Sequence, residues 1–461
     1  LKKQNTVGFW EKTALGVGWL PGLMGWQLVK TLSVAVYQMI LGVNPVLLGI
    51  AMAIPTVWDA VTDPVMGNIS DNFHSRWGRR RPFIVLGAVL MGIAFGLIWM
   101  VPPGWSDISK VVYLTVTSVI YATCYTVYMV PLQSLQLEMT PDYDERTRVA
   151  AYSSFFMKIS DFTYQWIFPL SQLAIFSTVL IGVRFVGWGV GIFIFMGLGV
   201  IPGIFVKERY YKKAVKQEKV KFGAAVAAVF SNRGFMILVS LTILLVISGM
   251  FASSLDYYLL VYYVHNGDIM QGSVWKGILS SVFAVVGLIS IWPTMWMSQK
   301  FGKRTALAVI YGMVVIGGVM KWFIFKPGHT WMVCWDALLC GPIWTAVGIL
   351  QPAMLADVCD DDELKFGKRR EGMFGALFSW VQKCGIALSF LGTGVALQLA
   401  GFDSTLGGAQ SESTFTIMRL MLVVIPAATS LLAVIALIFY PISRQRAAGI
   451  RGELESRRGK I

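Results

Sequence analysis

Residues 58–67 read Trp58-Asp59-Ala60-Val61-Thr62-Asp63-Pro64-Val65-Met66-Gly67. They lie inside an apolar stretch from Asn44 to Ile69, which then opens into Ser75-Arg76-Trp77-Gly78-Arg79-Arg80-Arg81. Asp59 and Asp63 are four residues apart, so on a helix their carboxylates stand one above the other on a single face. Holding one ionised group at mid-membrane costs about 2.5–3.5 kcal/mol even on the lenient insertion scale. Two on one face mark an ion or solute path, and a chain that moves something across a membrane.

The rest of the composition agrees. Hydrophobic residues make up 56% and charged residues 14% of 461 positions, and the mean hydropathy is +0.64, which is wrong for a soluble chain of this length. Apolar runs long enough to cross a hydrocarbon core recur about twelve times. They fall at 13–41, 44–71, 82–102, 109–138, 148–172, 185–206, 234–264, 273–299, 305–325, 330–356, 372–400 and 415–441. The fold expected is an all-α membrane protein, twelve transmembrane helices in two pseudo-symmetric six-helix bundles.

A net charge of +14 invites a nucleic-acid partner, but the basic residues sit in short connections and tails, with no stripe of stacking aromatics. No nucleic acid is implied. Lys and Arg crowd every second connection, at 76–81, 207–221, 300–304, 365–370 and 444–460, and are sparse in the alternate ones. Under the positive-inside rule both termini are then cytoplasmic, as an even number of crossings requires, in the plasma (inner) membrane. Nothing at the start reads as a cleavable signal, so the first apolar run is expected to persist as a helix. Five scattered cysteines and three histidines lack metal-ligand spacing, and Gly16-Val17-Gly18 follows no strand, so it reads as close helix packing rather than a phosphate loop. No cofactor, nucleophile or soluble signalling domain appears. An enzyme is not expected.

The chain divides near its middle: an amino-terminal bundle over 1–206, a charged cytoplasmic linker over 207–233, a carboxy-terminal bundle over 234–443 and a tail over 444–461. Landmarks recur in both halves. Ser70-Asp71 and the following Arg76-Trp77-Gly78-Arg79-Arg80 correspond to Ser298-Gln299-Lys300-Phe301-Gly302-Lys303-Arg304, and the acidic run after Glu138 corresponds to the run from Asp357 to Glu363. An internal repeat of this kind suggests a transporter with its site between two bundles.

On these motifs the chain resembles the glycoside-pentoside-hexuronide cation symporters of the major facilitator superfamily, the group of the melibiose permease. The resemblance covers nearly the whole chain and is carried by 58–67, Ser75-Arg76-Trp77-Gly78-Arg79, Leu355-Ala356-Asp357-Val358, Gly367-Lys368-Arg369-Arg370-Glu371-Gly372 and Val381-Gln382-Lys383. Residues 78–84 also resemble sucrose-proton symporters. The resemblance implies cation-coupled sugar transport, with a cation site at Asp59, Thr62, Asp63 and Thr126, and with Lys383 answering the acids when the cation is absent. Thr62 stands where the permease has asparagine. Sodium at Asp59 and Asp63 suits the oxygen ligands, and a proton suits two carboxylates that resist joint ionisation.

The sugar site departs from the permease. Its acidic ligands fall on Leu23 and Met129, its arginine on Ser154 and its tryptophans on Gln133 and Gly348. The groups left to meet a sugar-like solute are Trp26, Gln27, Lys30, Gln133, Lys158, Asp161, Asp256, Trp344, Gln351, Trp380 and Lys383, with Tyr128 as a further stacking face. The extra lysines suggest an anionic solute, a uronide or a sulfosugar, while Lys158 and Asp161 are also spaced to pair with each other. At the cytoplasmic rim Asp71, Arg76, Arg79, Arg80, Asp142, Arg146 and Asp357 are expected to form the inner gate. Two alternatives keep the fold: an amphiphile such as a lysolipid as cargo, or a membrane sensor that does not transport. The chain is expected to act as a monomer.

Overall fold

A computed structural model describes residues 7–140, 143–208, 232–366, 371–403 and 406–458. Among them there is no strand. Thirteen helical segments follow in chain order: α1 (9–40), α2 (Pro45–Asn72), α3 (Arg81–Ile98), α4 (Asp107–Glu138), α5 (143–171), α6 (Val179–Phe205), α7 (Arg233–Val264), α8 (269–301), α9 (Lys303–Ile324), α10 (330–366), α11 (Glu371–Leu399), α12 (Glu412–Ile438) and α13 (Arg444–Arg458). Ten are long and apolar enough to cross a membrane. The two remaining long segments of the twelve expected are α1 and α5, diluted by Glu11, Lys12, Gln27 and Lys30 and by Lys158, Asp161 and several serines. A helix that polar is stable in a bilayer only against protein or water.

Short polar side chains set where the helices begin. The Asn44 side chain accepts from the backbone of Val46 and Leu47 ahead of Pro45, and Ser106, Thr178, Asn232 and Ser411 accept in the same way for α4, α6, α7 and α12. Each satisfies a donor that the helix cannot. Thr178 starts α6 six residues before the apolar run that reveals it. Likewise α10 runs ten residues past its expected end, through the acids from Asp357 to Glu363.

By internal contacts the chain falls into two units, residues 1–217 with 268–281 and 397–407, and residues 218–267 with 282–396 and 408–461. In the first unit α3 lies against α4 at Gly87, where a Cβ would come within 2.6 Å of the Tyr128 backbone nitrogen. α1 runs alongside α5 with Gly16 against Phe156. In the second, a core built on Phe235, Leu241, Ile310, Met354 and Phe374 joins α7, α9, α10 and α11 and takes in Ile450 and Leu454 of α13.

The two repeats close their helix ends alike. Arg81, opening α3, donates to the carbonyls of Gly203 (2.7 Å) and Ile204 (2.6 Å) at the end of α6. Arg304, opening α9, donates to Ile438 (2.9 Å) and Tyr440 (3.4 Å) at the end of α12. At the opposite end Arg184 of α6 reaches Val101 (2.9 Å) past α3, and Arg419 of α12 reaches Trp322 (2.7 Å) in α9. Guanidinium groups at carbonyl ends satisfy orphaned acceptors and complement the helix dipole.

Candidate functional site

α2 carries prolines at 55 and 64, on either side of Asp59. Each removes a backbone donor, so the carbonyls of Ala51 and Ala60 lose their usual partners close to the acids. Asp59 is 2% exposed, and Asp63, one turn on, is partly open. From α4 the Thr126 hydroxyl lies between them, 2.8 Å from Asp59 Oδ1 and 3.2 Å from Asp63 Oδ1. The Thr62 hydroxyl is 3.2 Å from that of Thr126. Two helices thus bring two carboxylates and two hydroxyls into one cluster of hard oxygen ligands, with Asp59 and Thr126 buried and Thr62 and Asp63 partly open. Such a set can hold a monovalent cation or a proton. Trp58 Nε1 donates to Thr123 Oγ1 (2.9 Å) and fixes α2 against α4 beside it.

Aromatic rings flank this cluster. Trp26 of α1 stacks on Tyr125 of α4 at 6.0 Å, Tyr125 on Tyr121 at 6.3 Å, and the Lys30 ammonium sits 3.5 Å from the centroid of the Trp26 ring. Gln27 is half-buried next to Trp26, and Gln133 is exposed two turns beyond Thr126 on the same face of α4. Tyr128, expected as a stacking face, is instead fully buried, donating 2.7 Å to the Gly18 carbonyl. The close approach of α1, α3 and α4 leaves its ring no open side. Lys158 and Asp161 of α5 pair with each other at 3.0 Å.

The remaining candidates belong to the second unit. Asp256 is 5% exposed. Gln351 is 2% exposed, its Oε1 accepting from Thr242 Oγ1 at 3.1 Å. Trp344 packs its ring over Gly249, Trp380 is half-exposed and Lys383 half-buried.

At the rim, Arg80 bonds Asp71 (2.8 Å) and Glu138 (2.7 Å), and Arg79 bonds Glu138 (2.5 Å). Burial alone would lower the Arg80 guanidinium, but Glu138 and then Asp71 carry it above the ordinary arginine value. Lys303 bonds Asp357 at 2.6 Å in the matching place of the second repeat. Arg76, expected in the gate, is exposed and makes no ion pair among the described residues, because the turn at Gly78 directs the chain inward only from Arg79. Asp142 and the Arg146 side chain lie outside the described residues.

Two participants, Glu138 and Glu208, escaped the sequence reading, while Glu145 belongs to the acidic run expected at the rim. Glu138 looked like a landmark and is the centre of the network. Glu208, at the end of α6, accepts from the backbone N–H groups of Arg79 (3.0 Å), Arg80 (2.9 Å) and Arg81 (3.1 Å) and so caps α3. Glu145 accepts from Lys12 Nζ (2.8 Å) and the Val7 N–H (3.2 Å). Burial alone would raise it, yet Lys12, Val7 and Arg148 together hold it below the usual glutamate value.

Residues 15–444 match the family described as MFS/sugar transport protein. Among curated relatives, the glucuronide carrier protein homolog of Escherichia coli is 25% identical, covering 92% of this chain and 90% of its own. The isoprimeverose transporter of Lactiplantibacillus pentosus is 22% identical, covering 96% and 90%. A crystal structure of a D-xylose-proton symporter superposes over 94% of this chain and 97% of its own, with a TM-score of 0.64 at 12% identity. At that identity the likeness speaks for the fold alone.

Proposed function

This chain belongs to the MFS/sugar transport protein family, and on that premise we propose that it is a cation-coupled symporter of a sugar or glycoside, working by alternating access. The single observation that carries the coupling is the Thr126 hydroxyl held between the Asp59 and Asp63 carboxylates. An arriving sodium ion or proton neutralises part of that paired charge, raises the affinity for solute and lets the loaded carrier reorient. Linkage then requires the solute to tighten cation binding by the same factor. The names of the relatives, a glucuronide carrier homolog and an isoprimeverose transporter, support a sugar as cargo. Trp26 and Tyr125 offer ring faces for it within reach of the acid cluster. The pattern of basic connections supports a plasma-membrane protein with both termini in the cytoplasm, and the Arg79–Arg80–Glu138 and Lys303–Asp357 bonds form its inner gate.

The test is uptake by proteoliposomes with sodium and pH gradients imposed separately. Asp63→Asn, checked by an unchanged melting temperature, should abolish gradient-driven accumulation. Undiminished driven uptake in that variant rejects the assignment, and the gradient that drives the wild type identifies the ion.

A further inference from the structure

We infer that the wall contributed by α5 selects neutral glycosides over acidic ones, because Lys158 and Asp161 present sugar hydroxyls with a donor and an acceptor whose charges cancel. The inference rests on the sugar-transport reading above and narrows its substrate class.

α5 turns two different faces outward. Phe155 and Phe162, seven residues apart, are 64% and 46% exposed and make an apolar stripe suited to lipid. Ser154, Lys158 and Asp161 recur at intervals of four and three on another face, exposed or half-exposed. Tyr152 and Phe156 occupy a third, against Gly16 of α1. An ammonium and a carboxylate side by side are not turned to hydrocarbon, so the polar stripe faces water or solute.

The pair is 3.0 Å apart with each side chain 28% exposed, and among the described residues each is the other's only polar side-chain partner. Lys158 keeps two N–H donors, and Asp161 keeps Oδ1 as an acceptor. Neighbouring hydroxyls of a pyranose can bond to both without disturbing the charge balance. A carboxylate or sulfonate arriving at Lys158 would instead lie next to the Asp161 carboxylate, and like charges so placed oppose binding.

Of the two other candidate ammonium groups, Lys383 is the one expected to answer Asp59 and Asp63, and Lys30 lies at another depth. Lys12 meets Glu145 and Gly16 meets Phe156, so α1 and α5 run in the same direction. Lys30 lies fourteen residues beyond Gly16 and Asp161 five beyond Phe156, a difference of nine. At about 1.5 Å per residue the two differ by about 14 Å in depth.

The experiment measures binding to the purified full-length protein by tryptophan fluorescence, using matched pairs of methyl glycosides and the corresponding methyl uronides in the gluco and galacto series. The wild type should bind the better neutral glycoside about tenfold or more tightly than its uronide. Asp161→Asn, which leaves Lys158 bare, should reverse that order. Lys158→Gln combined with Asp161→Asn restores a neutral wall and should restore the neutral preference. Tighter uronide binding by the wild type, an unmoved ratio in Asp161→Asn, or binding of neither class would overturn the inference. Binding with the expected order but no gradient-driven uptake would overturn the symport reading instead and leave this one standing.

Discussion

One hydroxyl hydrogen serves two carboxylates at the acid pair, so the proposed cation site is most directly tested at Thr126. A hydrogen bond to a charged group contributes about 1.5–3 kcal/mol, equivalent to roughly ten- to a hundredfold in affinity. Thr126→Val keeps the shape and removes the bond. For sodium, which loses the hydroxyl oxygen as a ligand, it should raise the concentration for half-maximal driven uptake by at least about tenfold. For a proton, losing a donor to the carboxylates should lower it. Thr126→Ser should restore the wild-type value in either case, and an ion titration of uptake decides. At this scale the sequence was legible where partners are neighbours in the chain. Asp59 and Asp63 share a face by their spacing, and Lys158 and Asp161 could be paired on sight. Thr126, 67 positions from Asp59, entered only through family resemblance. Glu208 could not be found at all, because its partners lie 127 to 129 positions away and nothing local distinguishes it from other linker charges.

Helix boundaries were less legible than helix number, for a consistent reason. Apolar runs report which residues meet lipid, whereas hydrogen bonding decides where a helix stops. α10 continues through its acids because Lys303 satisfies Asp357 and Lys365 satisfies Asp361 at 2.5 Å. α8 is interrupted at Ser290, whose hydroxyl donates to the Gly287 carbonyl, although its composition runs on unbroken. The cap on α3 makes a testable case at this level. Glu208→Ala frees three backbone donors at once, and losing a helix cap typically costs about 0.5–2 kcal/mol. The variant should melt at a lower temperature than the wild type while Lys207→Ala, one residue away and exposed, should not. Equal melting of the two variants would remove Glu208 from the structural account.

The repeat is visible in the landmarks of the sequence, but its mechanics are not. Arg81 and Arg304 lie in the basic connections that read as topology signals, and nothing in the sequence singles out Arg184 and Arg419 as their counterparts. In three dimensions all four do one job, holding the third helix of a repeat to the sixth at both ends. Ten of the twelve long segments announce themselves by hydropathy, and the two that do not, α1 and α5, carry Trp26, Lys30, Lys158 and Asp161, four of the residues expected from sequence to meet a solute. The helices hardest to read as lipid-facing are thus those with most to offer a polar cargo.

Those four arginine clasps carry a consequence for biogenesis. Each is closed by residues of one repeat, so a break in the polypeptide between Gln217 and Glu218 opens none of them. Two open reading frames encoding 1–217 and 218–461 should consequently yield fragments that escape proteolysis and, made in the same cell, complement one another in solute uptake. Rapid degradation of both products, or stable products with no recovered uptake, would mean that the covalent tether itself is required for assembly.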